Sequence, residues 1–171
     1  LQQLTLRHGK GSGVVGWSSF TMEDVFVEQC GGYGVYAYGK GGVGKCTNLE
    51  VRQCGRSGVY ACSGASITLI GTKTTVHHNC TTGNRSDYGL KVWDSSSTIQ
   101  LVSPLTKEQV SIDNGGGGNW GATYGGDINQ ITTIAATTSS SSVPCGETKS
   151  NHASSTRKDD LLRVPDHVLT A

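Results

Sequence analysis

Residues 25–38, VFVEQCGGYGVYAY, recur 24 residues later as LEVRQCGRSGVYAC at residues 49–62. In this alignment Val27 falls on Val51 and Cys30 on Cys54, and the four letters GVYA repeat unchanged. Self-similarity at a fixed short period is typical of proteins built by stacking copies of one small unit. The two segments therefore predict a repeat fold, and further copies are expected on either side.

Three other segments fit the same frame. LTLRHGKGSGVVGW (4–17) lies at an offset of 21 residues from the second copy. TTVHHNCTTGNRSDYGLKVW (74–93) is a fourth copy, with one extra residue before Cys80 and an insertion before Gly89. VSIDNGGGGNWGATY (110–124) is a looser fifth copy, which places Ile112 in the valine position.

Each copy contains short runs in which apolar and polar residues alternate, such as Val25/Val27 and Val35/Ala37, and a third pair such as Ile67/Leu69 precedes the next copy. Strict alternation indicates strands with one buried face. Three short strands per copy predict an all-β solenoid over residues 1–131. Residues 132–171 are rich in Ser and Thr and poor in bulky apolar residues, so they are predicted to form a flexible tail.

The phrase CGRSGVYACSGA (54–65), together with this periodicity, resembles the right-handed parallel β-helix repeat family, which includes pectate-lyase-like and F-box-associated β-helices. The resemblance covers roughly residues 1–131 and implies about five stacked rungs. Because β-helices of this type often act on polysaccharides, it also implies a role connected with carbohydrates. The chain begins at Leu1 instead of Met, which suggests a fragment of something longer.

Stacking of the copies predicts columns of equivalent side chains. The inward columns are Leu6/Val27/Val51/Val76/Ile112, Val14/Val35/Val59/Leu90 and Gly16/Ala37/Ala61/Val92. A corner column of reduced cysteines is Cys30/Cys54/Cys80, beside a polar column of His8/Gln29/Gln53/His78/Asn114. An outward column, Arg7/Glu28/Arg52/His77/Asp113, alternates in charge over its first three members and resembles a solvated face.

The segment GKGGVGKCT (39–47) resembles the phosphate-binding loop of the ParA, MinD and nitrogenase-iron-protein ATPases. A phosphate-binding loop must open a helix whose N–H groups meet the phosphates. Here NLEVRQCGRSG follows, an alternating strand pattern, and Cys46 stands where a magnesium-binding Ser or Thr is required. The repeat instead predicts a glycine-rich corner and a strand, with an ATPase as the third hypothesis for function.

A search for catalytic residues finds no constellation. The acidic residues are scattered, and Asp94 and Asp113 are read as turn or surface residues although either could be catalytic. For His77 and His78 the favoured role is hydrogen bonding along the stack, and metal ligation or acid–base work is the alternative. No cofactor or metal is predicted. A formal net charge of +1 gives no electrostatic reason to expect a nucleic acid, and no apolar run is long enough for a membrane span.

If the inward columns are right, their neighbours form an outward face, called here the aromatic face: Trp17, Tyr36, Tyr38, Tyr60, Lys91 and Trp93. Exposed aromatic arrays suggest a partner, and ring faces suit the C–H face of a sugar. The first hypothesis is a non-catalytic recognition or scaffold module for a polysaccharide or a protein. The second is a fragment of a carbohydrate-active enzyme. The alternative without a ligand is that a loop or the tail covers these rings.

Two glycosylation triplets occur in the insertion of the fourth copy, Asn79-Cys80-Thr81 and Asn84-Arg85-Ser86. Asn79 adjoins the buried column, so Asn84 is the better candidate if the chain is secreted. An extracellular location is slightly favoured on this basis.

Overall fold

The computed structural model describes residues 1–137, and this part of the chain is all-β with parallel strands. The strands are β1 (Gln2–Arg7), β2 (Val14–Gly16), β3 (Phe20–Glu28), β4 (Val35–Tyr38), β5 (Val43–Thr47), β6 (Glu50–Arg52), β7 (Val59–Cys62), β8 (Ser66–Ile70), β9 (Thr75–His77), β10 (Leu90–Val92), β11 (Thr98–Val102), β12 (Ser111–Ile112), β13 (Trp120–Ala122) and β14 (Ile131–Ile134). A helix, α1 (Lys107–Val110), and a 3₁₀ turn (Ile128–Gln130) complete the elements. Among the described residues, no helix is long and apolar enough to cross a membrane.

The strands form one nine-stranded and one five-stranded sheet. The five-stranded sheet has the order β13-β10-β7-β4-β2. In the larger sheet the long strand β3 belongs to two arrays, because its first half pairs with β5 and its second half with β1 and β6. One array continues through β9 to β12 and the other through β8 and β11 to β14. Strands from equivalent parts of successive copies are thus neighbours.

The register of the strands confirms most of the predicted columns. Val27 pairs with Val51, and Val51 with Val76. The second and third inward columns pair as predicted, Val14/Val35/Val59/Leu90 and Gly16/Ala37/Ala61/Val92. From the second copy onward the side chains of these columns are buried and join one hydrophobic cluster with Ile67, Leu69, Ile99 and Leu101. Apolar alternation in the sequence therefore identified most of the core.

The fifth copy is displaced by one residue from the predicted alignment. Ser111, not Ile112, pairs with Val76, while Ile112 pairs with His77 and is 42% exposed. Ser111 is fully buried, and its hydroxyl is satisfied there. The hydroxyl donates to the carbonyl of Asn119 at 2.6 Å and accepts from Asn114 Nδ2 at 3.1 Å. Asp113 consequently takes the place predicted for Asn114 in the polar column. The prediction was wrong because it matched residue types, whereas a satisfied hydroxyl fits a buried position as well.

The polar column is a row of left-handed backbone positions. His8, Gln29, Gln53, His78 and Asp113 have φ angles between 52° and 58°. Gln29 Nε2 donates to Gln53 Oε1 at 3.3 Å, a contact along the stack of the kind predicted. Polar side chains tolerate this region better than β-branched ones, which gives a physical reason for their recurrence at this corner.

The predicted cysteine column changes identity at the fourth copy, where Asn79 occupies the position of Cys54 and Cys80 is the extra residue. Asn79 Oδ1 accepts the Cys54 N–H at 3.0 Å, and Asn79 Nδ2 donates to the Val51 carbonyl at 3.0 Å. Asn114 repeats the arrangement below, accepting the Asn79 N–H at 3.0 Å and donating to the Val76 carbonyl. The corner is therefore a thiol column continued by an asparagine ladder.

Five cysteines of the described chain are buried and unpaired: Cys30, Cys46, Cys54, Cys62 and Cys80. Burial raises the pKa of Cys46, Cys54 and Cys80 to about 12. These thiols are protonated near neutral pH, which suits small apolar packing residues. Cys145 lies outside the described residues.

The repeated glycine before each GVYA motif is required by close packing. A β-carbon on Gly34 would lie 2.2 Å from Val51 Cγ1, and one on Gly58 would lie 2.4 Å from Val76 Cγ1. Each of these glycines thus receives a valine methyl group from the next copy. Neither has a positive φ, so close packing explains these glycines and a left-handed backbone does not.

The predicted boundary at residue 131 falls inside an element, because β14 continues to Ile134 and pairs with β11. The segment SPLTKE (103–108) contains the first residues of α1, which begins after the N-cap Thr106. The remainder of the predicted tail, from residue 138, lies outside the described residues.

Candidate aromatic binding face

The aromatic face lies on the outer side of the five-stranded sheet, as the alternation predicts. Tyr36 pairs with Tyr60, Tyr60 with Lys91, and Tyr38 with Cys62. The rings of Tyr36 and Tyr60 are stacked, with centroids 4.9 Å apart and an interplanar angle of 12°. Parallel pairing in register therefore builds a continuous row of rings from residues far apart in the sequence.

Part of this face is covered, contrary to the prediction that all six residues face solvent. Lys91 is 1% exposed and Tyr60 4% exposed. Tyr33 lies over them, with its ring centroid 4.8 Å from that of Tyr60 and 5.2 Å from that of Tyr36. Burial raises the pKa values of Tyr36 and Tyr60, so both hydroxyls remain protonated and able to donate.

The insertion of the fourth copy supplies the second part of the cover through Asp87. The carboxylate of Asp87 is fully buried and accepts from Arg56 Nε at 3.1 Å and from Ser57 Oγ at 3.0 Å. Lys91 Nζ lies 3.4 Å from the same carboxylate. Burial lowers the pKa of Lys91, against the attraction of Asp87. Both cations of this region are therefore paired with one carboxylate.

These cations also contact the rings. Lys91 Nζ lies 4.9 Å from the ring centroid of Tyr60 and 5.4 Å from that of Trp93. The Arg56 guanidinium lies 4.4 Å from the centroid of Tyr33. Cation–π contacts at such distances stabilise the arrangement. The covered part of the aromatic face is consequently a packed cluster.

The exposed part runs along the next outward positions. Trp17 is 73% exposed, Tyr38 is also exposed, and Trp93 is half-buried. Tyr124, which the sequence analysis did not single out, is 76% exposed and stacks on Trp93 with centroids 3.8 Å apart. Cys62, between Tyr38 and Trp93, is buried. Two exposed platforms result, one at Trp17 and Tyr38 and one at Trp93 and Tyr124.

Four residues of this region were missed: Tyr33, Arg56, Asp87 and Tyr124. Tyr33 lies two positions before the second strand of its copy. Its aromatic side chain was the one feature of the sequence that could have linked it to the aromatic face. Arg56 and Asp87 lie 31 residues apart, and no local pattern links them. Their pairing depends on how the insertion folds back on the sheet.

Residues 39–47 do not form a phosphate-binding loop. Val43–Thr47 is strand β5, paired on both sides with β3 and β8, and the next element is strand β6. A β-carbon on Gly44 would lie 2.4 Å from Phe20 Cζ, so this glycine makes room for a ring. Lys40 and Lys45 are exposed. No helix begins at Thr47 to receive phosphate.

The two single acids considered for catalysis are turn residues. Asp113 is exposed and left-handed. Asp94 accepts from the Ser63 N–H, from Ser96 and from Ser97. Desolvation raises its pKa, but these hydrogen bonds outweigh that effect and lower it below its ordinary value. Within residues 1–137, no group of three or more His, Cys, Asp or Glu side chains is placed to hold a metal ion.

The two histidines contact each other and a carboxylate. His77 Nδ1 lies 2.7 Å from His78 Nδ1, and His77 Nε2 lies 3.5 Å from Glu50 Oε1. Glu50 is on the neighbouring strand β6, one array position away from β9. The sequence pattern gave no carboxylate partner for these imidazoles, and the strand pairing provides one.

Of the two glycosylation triplets, only that of Asn84 is accessible. Asn84 is exposed, and its Oδ1 accepts the Ser86 N–H at 2.9 Å. Asn79 is buried with its amide committed to the ladder.

No protein-family model, no curated protein and no solved structure matches this chain. Neither fold family nor activity is therefore assigned by similarity, and functional inference depends on the geometry described above.

Proposed function

We propose that residues 1–134 form a right-handed parallel β-helix and that the aromatic face binds a neutral glycan chain. Three parallel arrays, each taking one strand from successive copies in chain order, support the fold. Connections between parallel strands of one sheet are right-handed in about 98% of cases, which supports the handedness. The aromatic face then lies along one flat side of the helix.

The observation that carries the proposed binding is the pair of exposed platforms, Trp17 with Tyr38 and Trp93 with Tyr124. Trp17 and Trp93 belong to the first and fourth copies, so successive strands about 4.8 Å apart separate them by about 14 Å. An elongated ligand would contact both platforms at once. Aromatic rings combine an apolar face with a polar tip, which suits a chain of sugar rings.

Charge favours a neutral ligand over an acidic one. Lys91 and Arg56 are both paired with Asp87, and Lys91 is buried. Asp94, beside Trp93, is held ionised by its hydrogen bonds. The face thus offers rings and hydroxyl groups, its two cations share the Asp87 carboxylate, and a polyuronide would approach the ionised Asp94.

The proposal is tested by affinity electrophoresis in gels containing xylan, glucomannan, β-glucan or polygalacturonate. We expect retardation by a neutral glycan and about tenfold weaker binding in Trp17→Ala, the effect of losing one aromatic contact. Phe26→Ala is the matched control, because Phe26 is an exposed aromatic residue on the other sheet.

Equal loss of binding in Trp17→Ala and Phe26→Ala would contradict the proposed face. A second outcome would replace the glycan by a protein partner. In that case no glycan retards the chain, whereas the immobilised chain retains a protein that the Trp17→Ala variant does not retain. Release of new reducing ends from any of these polymers would favour the second hypothesis, a carbohydrate-active enzyme.

A further inference from the structure

Outside the aromatic face, the most organised set of reactive side chains is Glu50, His77 and His78. The two imidazole rings are nearly perpendicular, with an interplanar angle of 83° and centroids 5.0 Å apart. Their Nδ1 atoms lie at hydrogen-bond distance, and Glu50 contacts the far nitrogen of His77. Arg52 Nη1 lies 3.3 Å from the same Glu50 oxygen and fixes that carboxylate from the other side.

The position of Glu50 favours one arrangement of the imidazole protons. Glu50 Oε1 lies 3.5 Å from His77 Nε2, and a carboxylate attracts an N–H, so the inferred tautomer of neutral His77 has its proton on Nε2. His77 Nδ1 is then an acceptor and receives the Nδ1–H of His78. The remaining nitrogen of His78, Nε2, carries a lone pair and no proton. The order Glu50, His77, His78 is therefore a relay that ends in a basic nitrogen.

His78 is accessible to a small molecule. It is exposed and lines an open groove of ≈ 530 Å³ together with Gln53, Thr81 and Asp113. Its backbone is held by the N–H bond to the Asp113 carbonyl at 3.1 Å. The relay thus positions an accessible imidazole beside a shallow surface depression, independently of the aromatic face.

We propose that His78 is a nucleophile toward small carboxylic esters, with His77 and Glu50 as positioning residues. His78 Nε2 attacks the ester carbonyl carbon, and the bond to the alcohol oxygen breaks. The alkoxide leaves and takes a proton from water, while the Nδ1 proton of His78 passes to His77 Nδ1. The resulting imidazolium is stabilised by Glu50. The hydroxide left by that water then cleaves the acyl–nitrogen bond, the carboxylic acid is released, and the proton returns from His77 to Nδ1 of His78.

The first copy contains an internal control. His8 occupies the equivalent left-handed position, with a φ angle of 58° against 54° for His78. Arg7 precedes it, so it has no neighbouring imidazole on that side. Any difference in reactivity between His78 and His8 in the same molecule therefore reports on the relay.

The test uses the full chain with p-nitrophenyl acetate, following acetylation of each histidine by peptide mass spectrometry and nitrophenolate release by absorbance. We expect His78 to be acetylated about 100-fold faster than His8, the low end for a positioned acid–base partner. Glu50→Gln should bring the two rates together, whereas His8→Asn should leave the rate at His78 unchanged. Asn is chosen because it tolerates the left-handed conformation.

Equal rates at His78 and His8 in the native chain would overturn the proposal. Nitrogen-15 NMR of the imidazoles provides a readout that does not depend on a variant folding. We expect the Nδ1–H tautomer for His78 and the Nε2–H tautomer for His77. An Nε2–H tautomer at His78 would overturn the relay even if an ester reacts there.

Discussion

Equivalent backbone positions hold apolar side chains in the second and third copies and, at several places, polar ones in the fourth and fifth copies. In the second and third copies the column positions hold Val27 and Val51, and the corner holds Cys30 and Cys54. In the fifth copy the column holds Ser111, and Asn79 and Asn114 occupy the corner. The comparison teaches that these positions require burial with every polar atom satisfied, rather than an apolar residue.

The corner offers the largest expected difference between the two kinds of copy. Asn79→Ala removes the acceptor of the Cys54 N–H and the donor to the Val51 carbonyl. Because the Cys54 N–H is then left buried without a partner and the Val51 carbonyl loses one donor, we expect a loss of about 3 kcal/mol in the free energy of unfolding. Cys54→Ala, which removes only a small buried thiol, is expected to cost about 1 kcal/mol. Denaturant unfolding measures both, and equal losses would break the comparison.

The displaced register of the fifth copy gives a smaller effect. Ser111→Ala removes one of two donors to the Asn119 carbonyl, which keeps the Leu90 N–H, and we expect a loss of about 1 kcal/mol. Ile112→Ala, at an exposed position, is expected to cost about 0.5 kcal/mol or less. If Ile112 filled the inward column, the order of the two losses in thermal or denaturant unfolding would be reversed.

The outward column also differs between the copies, and its contribution to stability depends on pH. Glu28 pairs with Arg7 and with Arg52, and the hydrogen bond from Arg52 lowers its pKa below the ordinary 4.5. A depressed carboxyl pKa stabilises the folded chain above 4.5, and this contribution is lost as the pH falls through the folded pKa. The fifth copy has the uncharged Ile112 in this column.

We therefore expect the Tm of Glu28→Gln to lie below that of the native chain at pH 7, with the gap closing as the pH falls below 4.5. Glu108→Gln, at an exposed residue of α1, is the control and should show no such convergence. A gap that stays constant from pH 7 to pH 3 would show that Glu28 acts by packing alone.

Much of the strand arrangement was predictable because the second and third copies share the motifs QCG and GVYA at the same spacing, so that Val27 and Val51 could be aligned without a structure. The fifth copy was not, since its frame depends on whether Ser111 or Ile112 is buried. That choice is determined by hydrogen bonds to Asn119 and Asn114, which lie in a loop with no repeat of its own.

The candidate site was predictable to a similar degree. Alternation placed Tyr36 and Tyr60 on one outer face, and the register confirms that they are neighbours. The cover over Lys91 was not predictable, because it requires the insertion to return Asp87 to the sheet next to Arg56. Contacts that cross from an insertion to a distant copy leave no periodic trace in the sequence.

The valine methyl groups that occupy the space above Gly34 and Gly58 have a consequence for how the gene can change in length. Each copy packs against the one that follows it through the same contact, a glycine facing a valine methyl group. A duplication or loss of one whole 24-residue segment, such as 31–54, would recreate that fit at the new junction. Insertions of other lengths, such as the one before Gly89 in the fourth copy, are then confined to the loops between these residues.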